Sequence, residues 1–476
     1  MSANLAQILD MAAAADGERA ALICEDGRTT TYADLARRAS GVAALLAERG
    51  VRAGDRVALH MPNGPAYVAA YFGALRAGAV VVPLNVLLAP PEIAQRVAAS
   101  GARVTIDPSW PPAEALPLPT DRPIAERRPD DPAVILYTSG TTGAAKGAVL
   151  THAGLREAGE NAVAVLGYTR ADVILGVAPF AHVLGQSGAM IAAVLTGAAV
   201  AVPGRFDAPR TLADMAHTGT TVLLGVPTMC VALVAAARET DVRPPLRLAH
   251  IGGAPLPAGV RIEFERTFGC PIHEGYGLTE LSGMAAAQPV GLPRTAGSVG
   301  IPAGGVQMRI RAADGSICPA GEIGEIQFRG GTVIPGYWRD RAATAAAIDP
   351  DGWLATGDLG RTDAAGNLFL VDRTKEVIIR GGYNVYPREV EEALFAHPDV
   401  REAAVVGTSH DVLGEEVTAF VVLEPGAAED ADALRAFAAE RVAAYKYPRR
   451  IVFLTQLPKS ATGKVQKRQL VQSLKT

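Results

Sequence analysis

Apolar and polar positions divide the first hundred residues into alternating strands and helices. Arg56–His60 and Ala79–Leu84 are short apolar runs typical of buried strands, and Ala66–Ala77 between them has a helical pattern. A strand, a helix and a strand in this order predict a parallel pair with a right-handed crossover. Glu92–Ala99 and Val104–Ile106 repeat the scheme. We therefore expect helices packed on a sheet in an α/β layer.

The pattern changes twice farther along the chain. Alternating helices and strands continue from Ala133 to about Ile272, and short strands with glycine turns then dominate Gly297–Asp372. The second pattern predicts a small β-barrel or a distorted sheet. A self-contained pattern of two helices and two strands follows: Glu389–Phe395, Val400–Gly407, Val417–Leu423 and Asp430–Val442.

These patterns predict an α/β protein of two domains. We expect residues 1–374 to form a large N-terminal domain of layered α/β subdomains with a small β-barrel-like subdomain. We expect residues 375–476 to form a small C-terminal α+β domain. A chain of 476 residues exceeds the size at which a single core stops growing, which fits this division.

The composition narrows the classes of partner. The net charge of −4 gives no basic surface signature, so nucleic acid is not an expected partner. The four cysteines are scattered without a C-x-x-C pair, which disfavours a disulfide framework or a structural zinc site and favours a reducing cytoplasm. The segment Met1–Ala15 lacks an early Lys or Arg, unlike a signal peptide. No run of 18 apolar residues is present, so stable insertion into a membrane is not expected.

The segment Tyr137–Gly147, which follows the apolar run Ala133–Leu136, has the composition of a phosphate-binding loop. Its glycines let backbone N–H groups converge on an anion, and its four Ser and Thr hydroxyls and one lysine add donors. The segment does not match G-x-x-x-x-G-K-[ST], because only two residues separate Gly143 from Lys146. It therefore indicates a nucleotide enzyme other than a P-loop NTPase, although such a string taken alone is more often a flexible loop.

Four further segments combine turn residues with charged side chains. In His273–Glu280 two glycines flank Tyr276, so the backbone can pass close to a planar ligand, and Thr279 and Glu280 supply oxygens suited to Mg²⁺. Taken alone, each segment also fits a plain turn, a solvated linker or surface charge. The other three are a carboxylate in a glycine turn, a charged cluster before a double glycine, and a lysine after Thr-Gly: Trp353–Gly360, Val371–Pro387 and Leu457–Lys464.

Together and in this order, the segments resemble the adenylate-forming superfamily: acyl-CoA synthetases, adenylation domains of peptide synthetases and firefly-type luciferases. The resemblance runs from Thr31 to Lys464 and rests on YTSGTTGAAKG, YGLTE, TGD, DRTKE and GK. It implies an enzyme that uses ATP and Mg²⁺ to convert a carboxylic acid to an acyl-adenylate. The acyl group then passes to the thiol of coenzyme A, which gives acyl-CoA, AMP and pyrophosphate.

The resemblance implies roles on the nucleotide side for the residues that match the family motifs. Thr279 would contact the α-phosphate, and Glu280 and Thr141 would hold Mg²⁺. Asp358 would bind the ribose hydroxyls, assisted by Arg373. The implied ATP-binding residues are Thr138, Ser139, Gly140, Thr141, Thr142, Gly143, Lys146, Gly253, Ala254, Glu274, Gly275, Tyr276, Gly277, Asp358 and Arg373.

The resemblance also implies that the C-terminal domain is mobile. Lys464 matches the catalytic lysine that bridges the substrate carboxylate and the α-phosphate. Lys375 falls at the family's hinge position, about which the small domain rotates between the two half-reactions. The rotation would withdraw Lys464 and bring Gly381, Gly382 and Tyr383 to the active site, where they form the passage for the thiol of coenzyme A.

The acyl pocket is implied by the segment Pro179–Gln186, in which His182 matches a family histidine counted with the catalytic residues. Ala181 departs from the aromatic residue usual there, which indicates extra room. Amino-acid-activating relatives place an aspartate in this segment, and this chain has none there. Synthetases for malonate-like diacids carry an arginine at the position where this chain has Gly275. An apolar monocarboxylate, fatty or aryl, is therefore expected. The implied pocket residues are Phe180, Ala181, His182, Gly185, Gly252, Gly275 and Gly277.

Several alternatives stay open at this stage. Coenzyme A is the favoured acceptor, because fatty-acyl-AMP ligases carry an insertion for which the path from Gly331 to Trp353 shows no room, yet transfer to an acyl carrier protein is a second hypothesis. A catalytically inactive nucleotide-binding module, a luciferase-like oxygenase and an amino-acid adenylation enzyme are the rival classes. Self-association into a homodimer is also open.

Overall fold

The computed structural model describes residues 3–111, 123–138, 145–373, 375–381, 383–410, 413–459 and 465–474. It confirms a mixed α/β fold with a large N-terminal and a small C-terminal part. The contacts divide the chain into two compact units, of which the second comprises Pro257–Gly259, Arg309–Gln327 and Ala355–Thr476. The predicted boundary at 374/375 lies within this second unit and stays a prediction. In the described part of the chain, no helix is long and apolar enough to cross a membrane.

The first unit contains two sheets and most of the helices. Its strands are, in chain order, β1 Ala20–Cys24, β2 Thr29–Thr31, β3 Arg56–Leu59, β4 Val80–Pro83, β5 Ala102–Ile106, β6 Pro132–Thr138, β7 Lys146–Thr151, β8 Val173–Leu175, β9 Ala199–Val202, β10 Val222–Gly225, β11 Leu248–Ile251, β12 Ile272–Leu278, β13 Gly283–Ala287 and β14 Ile301–Pro302. Its helices are α1 Gln7–Asp16, α2 Tyr32–Glu48, α3 Pro65–Arg76, α4 Pro90–Ser100, α5 His152–Leu166, α6 Ala192–Thr196, α7 Ala208–His217, α8 Pro227–Arg238, α9 Ala258–Phe268 and α10 Arg341–Ala347.

The smaller sheet of the first unit has the strand order β5-β3-β4-β6-β7. Its strands β3 and β4 pair in parallel with Arg56 opposite Val80, as the sequence predicts. Parallel strands covered by helices on both faces read as continuous apolar runs, which is why Val57–Leu59 is buried at every position. The helix between them begins at Pro65, a residue suited to the first helical position, because it lacks the N–H that a helix leaves unpaired there.

The larger sheet of the first unit has the order β14-β13-β12-β11-β10-β8-β9-β1-β2. The turn at Asp26-Gly27 joins an antiparallel pair, β1 and β2. The next helix is capped at its N-terminus by the Thr31 side chain, which accepts a hydrogen bond from the backbone N–H of Asp34. The strands β8 to β12 run in parallel, so their carboxyl ends lie at one edge of the sheet.

The second unit contains the predicted short-strand region and the C-terminal α/β pattern. Its remaining strands are β15 Gln307–Arg311, β16 Gly324–Arg329, β17 Leu354–Thr362, β18 Leu368–Arg373, β19 Ile378–Arg380, β20 Tyr383–Val385, β21 Val400–His410, β22 Gly414–Leu423 and β23 Arg450–Phe453. Its helices are α11 Pro387–Phe395, α12 Ala431–Ala439 and α13 Lys467–Ser473. Its two sheets have the orders β15-β16-β17-β18 and β20-β19-β22-β21, and β23 pairs with β22 in parallel.

Candidate active site

The residues predicted to bind ATP in the first unit lie at or beyond the carboxyl ends of strands. Thr138 ends β6, and Gly252, Gly253 and Ala254 follow β11. The segment Glu274–Leu278 completes β12, which is parallel to β11 with Ile251 opposite Glu274. Ligands of open α/β sheets bind in the crevice outside the carboxyl ends of the strands. The fold therefore places the predicted adenine residues at the carboxyl edge of the larger sheet and Thr138 at the carboxyl end of a strand of the smaller sheet.

The two ends of the predicted phosphate-binding loop are paired. Thr138 lies opposite Lys146 in the antiparallel pair β6–β7, and its hydroxyl donates a hydrogen bond to the Lys146 carbonyl oxygen over 3.4 Å. A Cβ atom on Gly147 would stand 2.8 Å from the Ile135 side chain, so the close strand approach requires glycine here. The predicted loop residues Ser139, Gly140, Thr141, Thr142 and Gly143 lie outside the described residues.

Glu280 and Lys146 contact the same tyrosine. Glu280 lies in a 3₁₀ turn, Thr279–Leu281, directly after β12. The hydroxyl of Tyr337 donates a hydrogen bond to Glu280 Oε1 over 2.9 Å, and the Lys146 ammonium lies 5.3 Å from the centroid of the Tyr337 ring. Burial first, and then the Glu280 charge, raises the pKa of the Tyr337 hydroxyl, so it stays a donor at neutral pH. Thr279 is buried beside this turn.

The glycines of β12 are required by close contacts. A Cβ on Gly277 would stand 2.1 Å from the Gly283 carbonyl oxygen, where β13 passes beside it. A Cβ on Gly275 would stand 2.3 Å from Cε1 of His250 and 3.0 Å from its Nε2. The imidazole of His250 therefore fills the volume that a side chain at residue 275 would take. The sequence explains these glycines by the close passage of the backbone along a planar ligand. The structure adds a second reason, since neighbouring atoms leave no room for a Cβ.

Histidines His250 and His273 form a buried pair of hydrogen bonds between neighbouring strands. Nδ1 of His250 lies 3.0 Å from the His273 carbonyl oxygen, and Nδ1 of His273 lies 2.9 Å from the Gln288 carbonyl oxygen. Both partners are acceptors, so each Nδ1 carries the proton. Burial lowers the pKa of His250 to about 4 and also lowers the pKa of His273. The group next to Gly275 is therefore a neutral imidazole at pH 7.

The remaining nucleotide residues of this unit take the following positions. Tyr276 is buried, and its ring lies 6.0 Å from the Phe328 ring at an interplanar angle of 28°. Glu274 is buried, and its backbone N–H donates to the Gln288 side chain. Gly253 has φ +77°, a conformation that favours glycine, and Ala254 is exposed.

The predicted acyl-pocket segment leads into a π-helix, Leu184–Ile191, which the sequence analysis did not predict. Such helices occur frequently at functional sites. Phe180 is fully buried and packs on Tyr67 at 5.7 Å, so its ring belongs to the core, whereas Ala181 and His182 are half-buried. A Cβ on Gly185 would stand 2.5 Å from the Pro179 carbonyl oxygen, so this turn requires glycine. Whether these residues contact an acid stays a prediction.

The predicted ribose-binding pair lies in the second unit. Asp358 on β17 is opposite Arg373 on β18, and Arg373 Nε stands 3.3 Å from Asp358 Oδ1. The Asp358 backbone N–H donates to the Thr356 hydroxyl, which itself donates to the Ile326 carbonyl oxygen over 2.7 Å. Gly357 between them has φ +72°. The Asp358 backbone is thus fixed in the middle of β17 and its carboxylate is mostly buried, while the guanidinium is about half exposed.

The predicted hinge and thiol residues occupy short turns of the second unit. Lys375 is exposed in a turn that is closed by the bond from the Glu376 N–H to the Arg373 carbonyl oxygen. Gly381 has φ +57°, and Tyr383 is exposed with its ring 4.7 Å from Tyr445. Gly382, predicted for the thiol passage, and Lys464, the predicted catalytic lysine, lie outside the described residues.

The oxygen donors of the first unit fit a magnesium ion that binds together with ATP. Mg²⁺ in such sites takes one or two carboxylates and completes its shell with substrate phosphates and water. Glu280 offers one such carboxylate, oriented by Tyr337. Within the described ranges, no group of three or more His, Cys, Asp or Glu side chains is arranged to hold a metal ion by itself.

Comparisons with known proteins agree with this geometry. The family model of AMP-binding enzymes matches residues 9–338, and the model of the AMP-binding enzyme C-terminal domain matches residues 389–464. The chain is 34% identical to a sulfoacetate–CoA ligase of Cupriavidus necator, covering 98% of this chain and 97% of the relative. It is 33% identical to a long-chain-fatty-acid–CoA ligase of Bacillus subtilis, covering 94% and 90%. The crystal structure of ATP-bound MatB from Rhodopseudomonas palustris superposes with a TM-score of 0.92 at 33% identity, covering 100% and 99%.

The fold, the strand-end residues and these matches define an adenylate-forming enzyme. The chain belongs to the AMP-binding enzyme family. It is an acid–thiol ligase of the AMP-forming type, which activates a carboxylic acid with ATP and transfers the acyl group to coenzyme A. The predicted recognition and the predicted reaction class are therefore confirmed.

Two residues beside the site were missed by the sequence analysis. Tyr337 is 57 positions from Glu280 in the sequence. The sequence analysis used its segment, from Gly331 to Trp353, only to argue that the insertion of fatty-acyl-AMP ligases is absent. His250 lies in β11, two residues before Gly252, and its neighbours in the sequence are those of an apolar strand. The sequence did offer one indication for His250: it is a polar residue within an apolar run, and a buried polar side chain needs a hydrogen-bond partner.

Proposed function

We propose that this enzyme activates an apolar monocarboxylic acid, fatty or aryl, and transfers it to coenzyme A. The arrangement of Lys146, Tyr337 and Glu280 carries the proposal, because it holds an ammonium and a carboxylate together at the strand ends. Attack of a carboxylate on the α-phosphorus brings two anions together, so the site must supply positive charge where negative charge accumulates.

The assigned roles on the nucleotide side follow the family pattern. Thr138, Lys146 and the loop between them would orient the β- and γ-phosphates, and Thr279 would contact the α-phosphate. Glu280 would hold Mg²⁺, which when bound would neutralise phosphate charge. In the second unit, Asp358 would accept hydrogen bonds from the ribose hydroxyls, with the Arg373 guanidinium beside it.

Lys464, Lys375 and the Gly381–Tyr383 turn are assigned to the change between the half-reactions. Lys464 would bridge the acid carboxylate and the α-phosphate during adenylation. Rotation about Lys375 would then replace it with the Gly381–Tyr383 turn, whose small residues leave room for a pantetheine arm.

The neutral surroundings of Gly275 support an apolar acid. The relatives are named for acids as different as sulfoacetate and long-chain fatty acids, so the comparison does not identify the acid that this enzyme activates. A second carboxylate or a sulfonate buried near residue 275 would need a cation, and the nearest group there is the neutral imidazole of His250. Each buried CH₂ of a chain would instead add about 0.8 kcal/mol of binding.

Coenzyme A is the proposed acceptor, and a carrier-protein thiol is the second candidate. The segment between β16 and β17 contains the short helix α10, which agrees with the absence of the insertion expected of fatty-acyl-AMP ligases. The cytoplasmic location and a homodimer stay predictions.

A mass-spectrometric screen tests the proposal. The enzyme is incubated with ATP, Mg²⁺ and coenzyme A together with straight-chain acids, aryl acids, dicarboxylates, sulfoacetate and amino acids. We expect thioester and AMP from the apolar acids. Thioester from dicarboxylates or sulfoacetate alone would refute the apolar assignment, and no acid-dependent ATP–pyrophosphate exchange with any acid would favour an inactive module. A parallel reaction with a phosphopantetheinylated carrier protein distinguishes the acceptors.

A further inference from the structure

The segment Thr332–Trp338, here called the connecting segment, links the strand of Lys146 to the turn of Glu280. Its Trp338 N–H donates to the Gly147 carbonyl oxygen over 2.7 Å, and its Gly336 carbonyl oxygen accepts from the Val149 N–H over 3.1 Å. It is therefore joined to β7, the strand that begins at Lys146.

The other end of the connecting segment is bound to the Glu280 turn. The Ile334 N–H donates to the Glu280 carbonyl oxygen over 3.0 Å. The Thr332 carbonyl oxygen accepts a hydrogen bond from the Ser282 hydroxyl over 2.8 Å, and Ser282 is buried. One stretch of seven residues thus sets the separation between the two charged groups through backbone hydrogen bonds on both sides.

Tyr337 adds a side-chain link within this segment. Its backbone N–H donates to the Thr344 hydroxyl over 2.9 Å, which fixes the residue on the connecting segment. Its hydroxyl donates to Glu280 Oε1 over 2.9 Å, and its ring lies 5.3 Å from the Lys146 ammonium. A cation near an aromatic face is attracted by the ring, so one side chain contacts both charges.

A hydroxyl that donates to one carboxylate oxygen orients the whole group. With Oε1 engaged by Tyr337, Oε2 of Glu280 is the oxygen left for a cation. Groups of this kind behind a metal ligand typically change metal affinity 10–100-fold when they are removed. In this arrangement the tyrosine acts through Glu280.

We propose that Tyr337 is a positioning residue that orients the Glu280 carboxylate toward Mg²⁺ and fixes it relative to Lys146. This inference rests on the proposed function, in which Glu280 holds the metal bound with ATP. It assigns to the connecting segment the task of joining the phosphate-binding lysine to the metal-binding carboxylate.

The variant Tyr337→Phe tests the proposal, because it keeps the ring beside Lys146 and removes the hydroxyl alone. Binding of ATP is measured by calorimetry at increasing Mg²⁺ concentration, with no acid present. We expect the Mg²⁺ concentration for half-maximal enhancement of ATP binding to rise about tenfold. ATP binding without metal and the melting temperature should stay close to those of the wild type.

Tyr168→Phe is the matched control. The Tyr168 hydroxyl is buried without a hydrogen-bond partner among the described residues, and it lies outside the proposed site. Its removal is expected to leave the Mg²⁺ dependence unchanged. An unchanged Mg²⁺ dependence in Tyr337→Phe as well would overturn the positioning role.

Glu280→Gln, alone and combined with Tyr337→Phe, separates this proposal from the proposed function. If Glu280→Gln leaves the Mg²⁺ dependence of the wild type, the metal assignment of Glu280 itself is wrong. If Glu280→Gln weakens the dependence, Tyr337→Phe should add nothing in that background, because its effect passes through Glu280. A full, additive effect of Tyr337→Phe in the double variant would contradict the proposal even where the single variant is impaired.

Discussion

His152 and His250 in the first unit are buried and Lys467 in the second unit is partly buried, and the three are held in different charge states. Burial lowers the pKa of both histidines to about 4, so each is neutral at pH 7. Burial alone would also lower the pKa of Lys467, but Glu391 and Glu376 together raise it, so the lysine stays charged. The lysine stands 2.8 Å from Glu391 and 3.0 Å from Glu376.

The difference shows two ways in which a titratable side chain can be removed from solvent, either in its neutral form or as an ion paired with opposite charges. A neutral imidazole can be buried with hydrogen bonds to the backbone alone: His250 Nδ1 lies beside the His273 carbonyl oxygen, and His152 Nδ1 accepts from the Leu5 N–H. A cation taken out of water instead needs opposite charges within hydrogen-bond distance. The charged cluster joins three pieces of the second unit: the segment after the predicted hinge with Glu376, α11 with Glu391, and α13 with Lys467. The cluster would keep these pieces together in the rotation that we propose.

The largest expected effect belongs to the predicted catalytic lysine. Lys464→Ala should lower adenylate formation by about 10²–10³, because a preorganised positive charge at the reacting phosphate is lost. Thioester formation from a supplied acyl-adenylate should be largely spared. The two half-reactions are measured separately, by ATP–pyrophosphate exchange and by thioester release. Equal loss of both would contradict the proposed exchange of Lys464 for the Gly381–Tyr383 turn.

The next effect concerns the charged cluster of the second unit. Lys467→Met should lower the free energy of unfolding by about 3 kcal/mol, since it leaves two partly buried carboxylates without their cation. Lys459→Met is the control, because Lys459 pairs with one carboxylate, Glu402, rather than with two, and its loss should cost about 1 kcal/mol or less. Denaturant unfolding measures both. If Lys467→Met lowered the free energy of unfolding less than Lys459→Met does, the cluster of Lys467 would be no more important to stability than the Lys459–Glu402 pair.

A third effect concerns the neutral histidines. Their pKa values are lower in the folded chain than the ordinary 6.5, so the unfolded chain takes up protons first as the pH falls. Stability should therefore be retained above pH 6.5 and decrease between pH 6.5 and 4, by about 2 kcal/mol per histidine from pH 7 to pH 5. The free energy of unfolding at the two pH values is compared between the wild type and His152→Gln, which should show the shallower dependence. An equal pH dependence in the two proteins would contradict a neutral His152.

The smallest effect concerns Asp358 and Arg373, the pair proposed to bind the ribose. Asp358→Asn keeps the shape of the side chain but removes the charge that accepts from two hydroxyls, so the KM for ATP should rise about tenfold, since charge-assisted hydrogen bonds are worth about 1.5–3 kcal/mol. The KM for the acid should not change. Steady-state kinetics with each substrate varied in turn measures both. A parallel rise of both KM values would indicate a distorted site rather than a lost ribose contact.

The sequence predicted the elements well where one physical rule dominated. Continuous apolar runs located the buried parallel strands, so the predicted Arg56–His60 is observed as Arg56–Leu59. The helix predicted at Ala66–Ala77 is observed as Pro65–Arg76. The π-helix Leu184–Ile191 escaped prediction, because its apolar pattern is indistinguishable from that of an ordinary buried helix.

Contacts across the sheets could not be obtained from local patterns. The pairing of Thr138 with Lys146 follows from one loop, but the Tyr337–Glu280 bond joins residues that only the fold brings together. The steric reason for Gly275 likewise depends on His250 in the neighbouring strand. Motifs predicted the residues of the site, and the tertiary structure showed which side chains lie against them.

In the proposed acid pocket, the contact between His250 and Gly275 also constrains how the enzyme could acquire a new acid preference. The ring and any side chain at residue 275 compete for one volume, since a Cβ there would stand 2.3 Å from Cε1 of the ring. A single replacement of Gly275 therefore produces a collision before it produces a new pocket. Redesign, by evolution or in the laboratory, has to begin at residue 250 with a smaller side chain and only then introduce a larger one at residue 275.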